Sequence, residues 1–233
     1  MSLTVFGFSV IGLRNRKLGL KCQDTHRVWA DTDRACVVVC DGAGSASHSF
    51  IGSLMVCNLV LNAMRKEMET EAIIRNLRER LSKKAKALNI DLSSLACTLL
   101  AVYVNKDEYR YIHIGDGLIA YNKDGKIQVL SEGFRGEYAN ETVFVTSKNV
   151  EDYVISGNGS LNGITTFFVM SDGMEQAVYD RKRNMFGNIL YKLVNYMSDT
   201  QDLKRLKRFI KRKSNMFYER TFDDFTLAIL KRG

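Results

Sequence analysis

Val37-Val38-Val39-Cys40-Asp41-Gly42-Ala43-Gly44-Ser45 is a run of buried-strand residues that delivers an aspartate into a glycine-rich turn. The run Cys36–Cys40 has β-branched residues and no polar face, which is the signature of a strand covered on both sides. The pattern recurs as Thr166-Phe167-Phe168-Val169-Met170-Ser171-Asp172-Gly173 and appears mirrored in Asp223-Asp224-Phe225-Thr226-Leu227-Ala228-Ile229-Leu230. Three strands are therefore capped by acid.

Around these strands, residues 3–10 and 26–30 read as strands, and 36–40 as a buried one. Apolar residues at spacings of three to four predict helices over about 47–68 and from Thr70, a candidate N-cap, through Leu88. Strands return at 95–104, 109–115, 118–121 and 126–130, separated by polar turns, and read as an antiparallel meander continued by 142–145, 153–156 and 164–170. Helices over about 186–197 and 201–213 precede a last strand at 225–230. Clusters of strands beside pairs of helices, without strict alternation, predict an α+β fold.

The 233 residues, 45% of them hydrophobic, suffice for one large core, and no linker or charge block divides them, so a single domain over 1–233 is expected. No apolar stretch approaches the ~20 residues of a membrane span, and the N-terminus lacks a secretory pattern, which predicts a soluble, cytoplasmic protein without a membrane partner. Five cysteines without a CxxC pair read as small core residues of a reducing compartment. The net charge of +8 is spread widely and speaks mainly to solubility and encounter.

Asp41 and Asp172 follow strands, whereas Asp223 precedes one, and in antiparallel sheets those opposite ends share an edge. Asp24, before the strand at 26–30, and Asp116, after Tyr111-Ile112-His113-Ile114-Gly115, obey the same rule. Five acids at one edge would repel and raise one another's pKa unless a cation intervened. Carboxylates, with a carbonyl made accessible at Gly42, are hard oxygen donors suited to Mg²⁺ or Mn²⁺; the three histidines and scattered cysteines offer no zinc spacing.

Gln23-Asp24, Asp41-Gly42-Ala43-Gly44-Ser45, Cys97-Thr98-Leu99-Leu100, Gly115-Asp116-Gly117, Ser171-Asp172-Gly173 and Asp223-Asp224-Phe225-Thr226-Leu227 together resemble, in order and spacing, the type 2C metal-dependent protein phosphatases in a compact bacterial form. The likeness runs from about Gly12 to Leu230 and includes Glu137-Tyr138-Ala139-Asn140-Glu141-Thr142. It implies a four-layer αββα sandwich of two antiparallel sheets flanked by helix pairs. It further implies two Mn²⁺ or Mg²⁺ ions bridged by Asp41 and completed by the Gly42 carbonyl, Asp172 and Asp223, with Asp24 orienting water and Asp116 serving a third, weaker site. The reaction implied is hydrolysis of phosphoserine or phosphothreonine by direct attack of hydroxide bridging the ions. A partner kinase, or its phosphorylated target, is the implied substrate.

The chain departs from that pattern at Ala43, where many members carry histidine, at Gln176, where an acid is common, at Gly19, which aligns with a phosphate-binding arginine of eukaryotic members, and at Asn15, where many related bacterial chains carry histidine. Arg14, Arg16, Lys17 and Lys21 are the candidates for substrate phosphate. These departures motivate an alternative, a pseudophosphatase of the same fold that binds phosphoprotein or regulates a partner. Ser45 and His48 form no nucleophile elbow. The dense cations of 204–213 read first as the solvated face of an amphipathic helix and second as a docking surface; nucleic acid is not the expected partner, because Phe209 alone supplies aromatic stacking there.

Overall fold

The computed structural model describes residues 2–133, 142–199 and 203–233. In chain order the elements are β1 Leu3–Val10, α1 Leu13–Lys17, β2 Thr25–Ala30, β3 Arg34–Cys40, α2 Ser49–Arg65, α3 Thr70–Leu88, β4 Leu99–Asn105, β5 Glu108–Ile114, β6 Leu118–Lys123, β7 Lys126–Glu132, β8 Ile155–Ser160, β9 Ile164–Met170, α4 Asp172–Val178, β10 Tyr179–Asp180, β11 Met185–Phe186, α5 Asn188–Asp199, α6 Leu203–Tyr218 and β12 Phe225–Arg232. Two five-stranded sheets, in the orders β1-β12-β9-β6-β7 and β2-β3-β4-β5-β8, are antiparallel throughout.

The two-residue alternation of each strand sorts its side chains between layers. On β3, Ala35, Val37 and Val39 enter the core between the sheets, with Leu100, Val102, Phe167, Val169, Ala228 and Leu230. Cys36, Val38 and Cys40 enter a second core beneath α2 and α3, where Val56, Val60, Ile73, Leu77 and Leu81 lie. On the far side, Phe168, Met170, Leu227 and Ile229 pack under α5 and α6 against Leu190, Leu193, Leu206 and Ile210. The result is a four-layer αββα sandwich, and the apolar run of β3 is accounted for by a strand buried on both faces. Four of the five free cysteines are buried and the fifth, Cys22, is partly so.

Several expectations are corrected. The meander breaks after β5: that strand belongs to one sheet and β6 to the other, so Gly115-Asp116-Gly117 is a crossover between sheets and not a hairpin. Residues 142–145 form no strand, although Val145 N–H donates to the Cys97 carbonyl at 2.9 Å. Strand β4 begins at Leu99 because residues Leu92–Leu95 form a 3₁₀ turn, and Thr70 is the first residue of α3, with Glu69 at the cap. The elements α1 and α4 and the hairpin β10–β11 are too short for periodicity to reveal. Residues 137–141 of the Glu137–Thr142 segment, positions 201 and 202, and the Lys204 side chain lie outside the described residues.

Candidate metal centre

Asp41 leaves β3 on the same parity as Val37 and Val39, the row that faces the opposite sheet. Its backbone is pinned: Thr98 N–H donates to the Asp41 carbonyl at 2.8 Å, and Asp41 N–H donates to Thr98 Oγ1 at 2.9 Å. Gly42 pairs with Cys97 in an isolated bridge. A Cβ at Gly42 would stand 2.8 Å from the Gln23 carbonyl oxygen and 2.9 Å from Ser49 Cβ, so no side chain fits between these segments.

From the other sheet, Asp172 opens α4 immediately after β9. Ser171 occupies the helix N-cap but its hydroxyl does not cap. Instead it donates to Asp24 Oδ2 at 2.8 Å and accepts the Thr226 N–H at 2.9 Å, tying β9, β12 and the segment before β2 together. Thr226 Oγ1 donates to Ser9 Oγ at 2.8 Å, and Ser9 Oγ lies 2.8 Å from His26 Nδ1, which carries the polar chain to β2. Asp116 sits in the three-residue crossover, where Gly117 has φ +94° and a Cβ there would stand 2.5 Å from the Met170 carbonyl oxygen. Thr142 Oγ1 donates to Asp116 Oδ2 at 2.9 Å.

Electrostatics join these acids. Burial, reinforced by Asp24, Asp172 and Asp116, raises the Asp41 carboxyl well above the ordinary range. Burial against Asp224 charge pushes Asp24 up to about 7 despite the hydrogen bond from Ser171, and burial with Asp116 and Asp223 pushes Asp172 up to about 6. Asp24 Oδ1 and Asp172 Oδ1 are buried without a hydrogen-bond partner. Among the described residues no group of three or more His, Cys, Asp or Glu side chains is assembled to hold a metal ion.

Asp223 is exposed beside Asp172, its Oδ1 accepting the Asp224 N–H at 2.9 Å. Sequence reasoning overlooked its neighbour. Asp224 is buried and accepts from Gly12 N–H at 2.6 Å, Asn15 Nδ2 at 3.0 Å and Gln23 N–H at 2.6 Å. Asn15 is thus a structural donor that fixes α1 against the start of β12. Among the cationic candidates, Arg16 donates to Tyr218 Oη at 2.7 Å, and the Lys21 ammonium lies 5.7 Å from the Phe50 ring centroid. Arg14 and Lys17 project from α1 as exposed side chains. Ala43 is buried and Gly19 exposed, and Gln176 reaches Asp172 Oδ2 at 3.4 Å. Glu175, one residue away, is turned into an ion pair with Arg181.

The chain matches the family described as Protein phosphatase 2C over residues 11–211. It is 25% identical over 253 aligned residues to Serine/threonine-protein phosphatase 3 of Escherichia coli, covering 98% of each chain. Its fold resembles the catalytic domain of the serine threonine protein phosphatase PstP, solved with two manganese ions, at TM-score 0.69 and 15% identity, over 98% of this chain and 97% of that one. It likewise resembles the serine/threonine phosphatase Stp1 from Staphylococcus aureus at TM-score 0.70 and 14% identity, over 100% and 96% of the two chains. No helix among the described residues is long and apolar enough to cross a membrane.

Proposed function

The chain belongs to the protein phosphatase 2C family, and from that premise we propose that it hydrolyses phosphoserine and phosphothreonine monoesters of proteins with two Mn²⁺ or Mg²⁺ ions. The observation that carries the reading is the approach of Asp24, Asp41, Asp116 and Asp172 at one end of the sandwich, where burial and neighbouring acids raise the carboxyls of Asp24, Asp41 and Asp172 above their ordinary range. The donor set is all oxygen, and the partnerless oxygens of Asp24 and Asp172 are what a hard divalent cation would relieve. The name of the E. coli relative supports the substrate class, and the manganese in PstP supports the choice of ions.

In this reading Asp41, the Gly42 carbonyl, Asp172 and Asp223 hold the ions, and Asp116 adds to a weaker third site. Bound ions supply positive charge to the phosphoryl oxygens and bring the pKa of a coordinated water toward ~7. Asp24, anchored by Ser171, accepts a hydrogen bond from the attacking water and fixes its direction. Arg14 and Lys17, the two candidates not engaged with an aromatic ring, are the side chains available to substrate phosphate. With Ala43 in the glycine loop, the proton for the departing alkoxide comes from water and not from a side chain there.

Ala43 and Gln176 favour one second reading, a pseudophosphatase that binds phosphoprotein without turning it over. Hydrolysis of p-nitrophenyl phosphate across a Mn²⁺ titration, with a chelator control and Asp172→Asn beside it, separates the two. Turnover that requires metal and falls at least ~100-fold in the variant is expected. A folded protein inert in both Mn²⁺ and Mg²⁺ would leave the second reading standing.

A further inference from the structure

We propose that the exposed face of α6, with the cleft it forms against α5, docks a phosphorylated acidic segment of the protein substrate away from the carboxylate cluster. Between Asp202 and Glu219 the chain has no acidic residue. Leu206, Ile210 and Phe217 are buried and hold the helix on its sheet, which turns Arg205, Lys207, Arg208, Lys211, Arg212 and Lys213 outward. Among the described residues no carboxylate pairs with Lys207, Arg208, Lys211, Arg212 or Lys213. Like charges this dense repel one another, and an incoming anion relieves that repulsion.

The cationic face has a concave element. Arg205, Arg208 and Arg212 line a cleft of about 220 Å³ together with Tyr196 and Phe209. Spacings of three and four residues put the three guanidinium groups on one side of the helix. Their planar forks suit the bidentate recognition of phosphate and carboxylate. Tyr196 and Phe209 stack on each other, with ring centroids 5.2 Å apart and planes at 24°, so each ring gives one face to the other and no row of separate aromatic platforms for successive bases is formed. Met216, at 37% exposure, is the one exposed large hydrophobic residue on the described part of α6, which leaves little to insert into a lipid surface. A short anionic peptide is the occupant that this combination of charge, concavity and a single paired aromatic stack favours.

The face also leads to the candidate metal centre. Tyr218, at the end of α6, donates to the Ile11 carbonyl at 3.0 Å and receives Arg16, and Asp223 follows five residues later. At the helical rise, Arg212 lies about 9 Å and Arg205 about 20 Å back along the axis from Tyr218. An extended substrate would therefore span docking site and phosphoserine with on the order of five to ten residues.

This inference rests on the phosphatase reading for the identity of the partner, and its test has a readout independent of turnover. Two fluorescent peptides would carry the same phosphoserine, one of them followed about eight residues later by an acidic segment with a second phosphoserine. Fluorescence anisotropy would measure their binding to Asp172→Asn protein and to the same protein carrying Arg208→Glu and Arg212→Glu. The acidic peptide is expected to bind at least ~10-fold tighter than the plain one, with that advantage abolished by charge reversal and halved or more by Arg208→Gln with Arg212→Gln. In protein wild type at Asp172, both pairs of substitutions are expected to leave p-nitrophenyl phosphate hydrolysis unchanged. An advantage that survives charge reversal, or a single-stranded RNA of equal charge binding more tightly than the acidic peptide, would overturn the proposal. Selective peptide binding without turnover by the wild-type chain would instead overturn the catalytic reading alone.

Discussion

Asp224 gathers the Gly12 and Gln23 N–H groups and the Asn15 side chain around one buried carboxylate, so truncating it strands the buried donors of Gly12 and Asn15. Asp224→Ala is expected to cost about 3 kcal/mol or more in urea unfolding, with Asp224→Asn recovering part of the loss. Asp172 behaves differently. Its carboxyl, at about 6 in the fold against ~3.9 in an unfolded chain, binds its proton more tightly when folded. That contribution is fully present below about pH 4 and is lost as pH rises through 6. His26 and His113, driven by burial to about 4, act with the opposite sign, because the unfolded chain takes up protons below ~6.5 that the fold refuses. Comparing wild type with Asp172→Asn cancels the histidines. In metal-free protein the variant should gain about 2–3 kcal/mol relative to wild type between pH 4 and 8, read from thermal melts; a difference constant with pH would mean the carboxyl is not held up. Asp41 and Asp172 were legible because each ends a buried strand in a glycine turn. The separate roles of Asp223 and Asp224 were not, since both are acids before the same strand and only donors some 200 positions away distinguish them.

Local elements repeat this contrast between what neighbours in sequence determine and what pairing determines. Strand β3 announces itself, because burial on two faces demands an all-apolar run. Gly115-Asp116-Gly117 does not: a hairpin and a crossover ask for the same small residues, and which one forms depends on where β6 finds its partners. The seven-residue α4 was illegible for a related reason, since its N-cap serine directs its hydroxyl to Asp24 and the helix holds too few turns for a periodic signal. The crossover makes a sharp prediction. Gly117→Ala places a Cβ at φ +94° against the Met170 carbonyl, so it should destabilise the protein by about 2–3 kcal/mol and displace Asp116 from the acid cluster. A melt unchanged from wild type would show that the crossover tolerates another backbone path.

At the scale of the molecule, the acids come from both layers: Asp41 from the β3 end in one sheet, Asp172 and Asp223 from β9 and β12 in the other. A cation held among them would link the sheets, and at a hundredfold excess over its dissociation constant it should add about 2.7 kcal/mol to unfolding stability. Thermal melts in Mn²⁺ should therefore rise against a chelator control and move little in Asp41→Asn; equal shifts in both proteins would place the binding elsewhere. The sheet orders carry one more consequence. Strand β12 is the last in the chain, yet it lies in the interior of its sheet, between β1 and β9. The first strand thus waits unpaired on that flank until the final one is made, and the acids Asp223 and Asp224 arrive with it. A polypeptide cut short before Asp223 lacks an interior strand, the sole strand partner of β1 and two of its acids at once, so a truncated product is expected to fail in folding and in hydrolysis together.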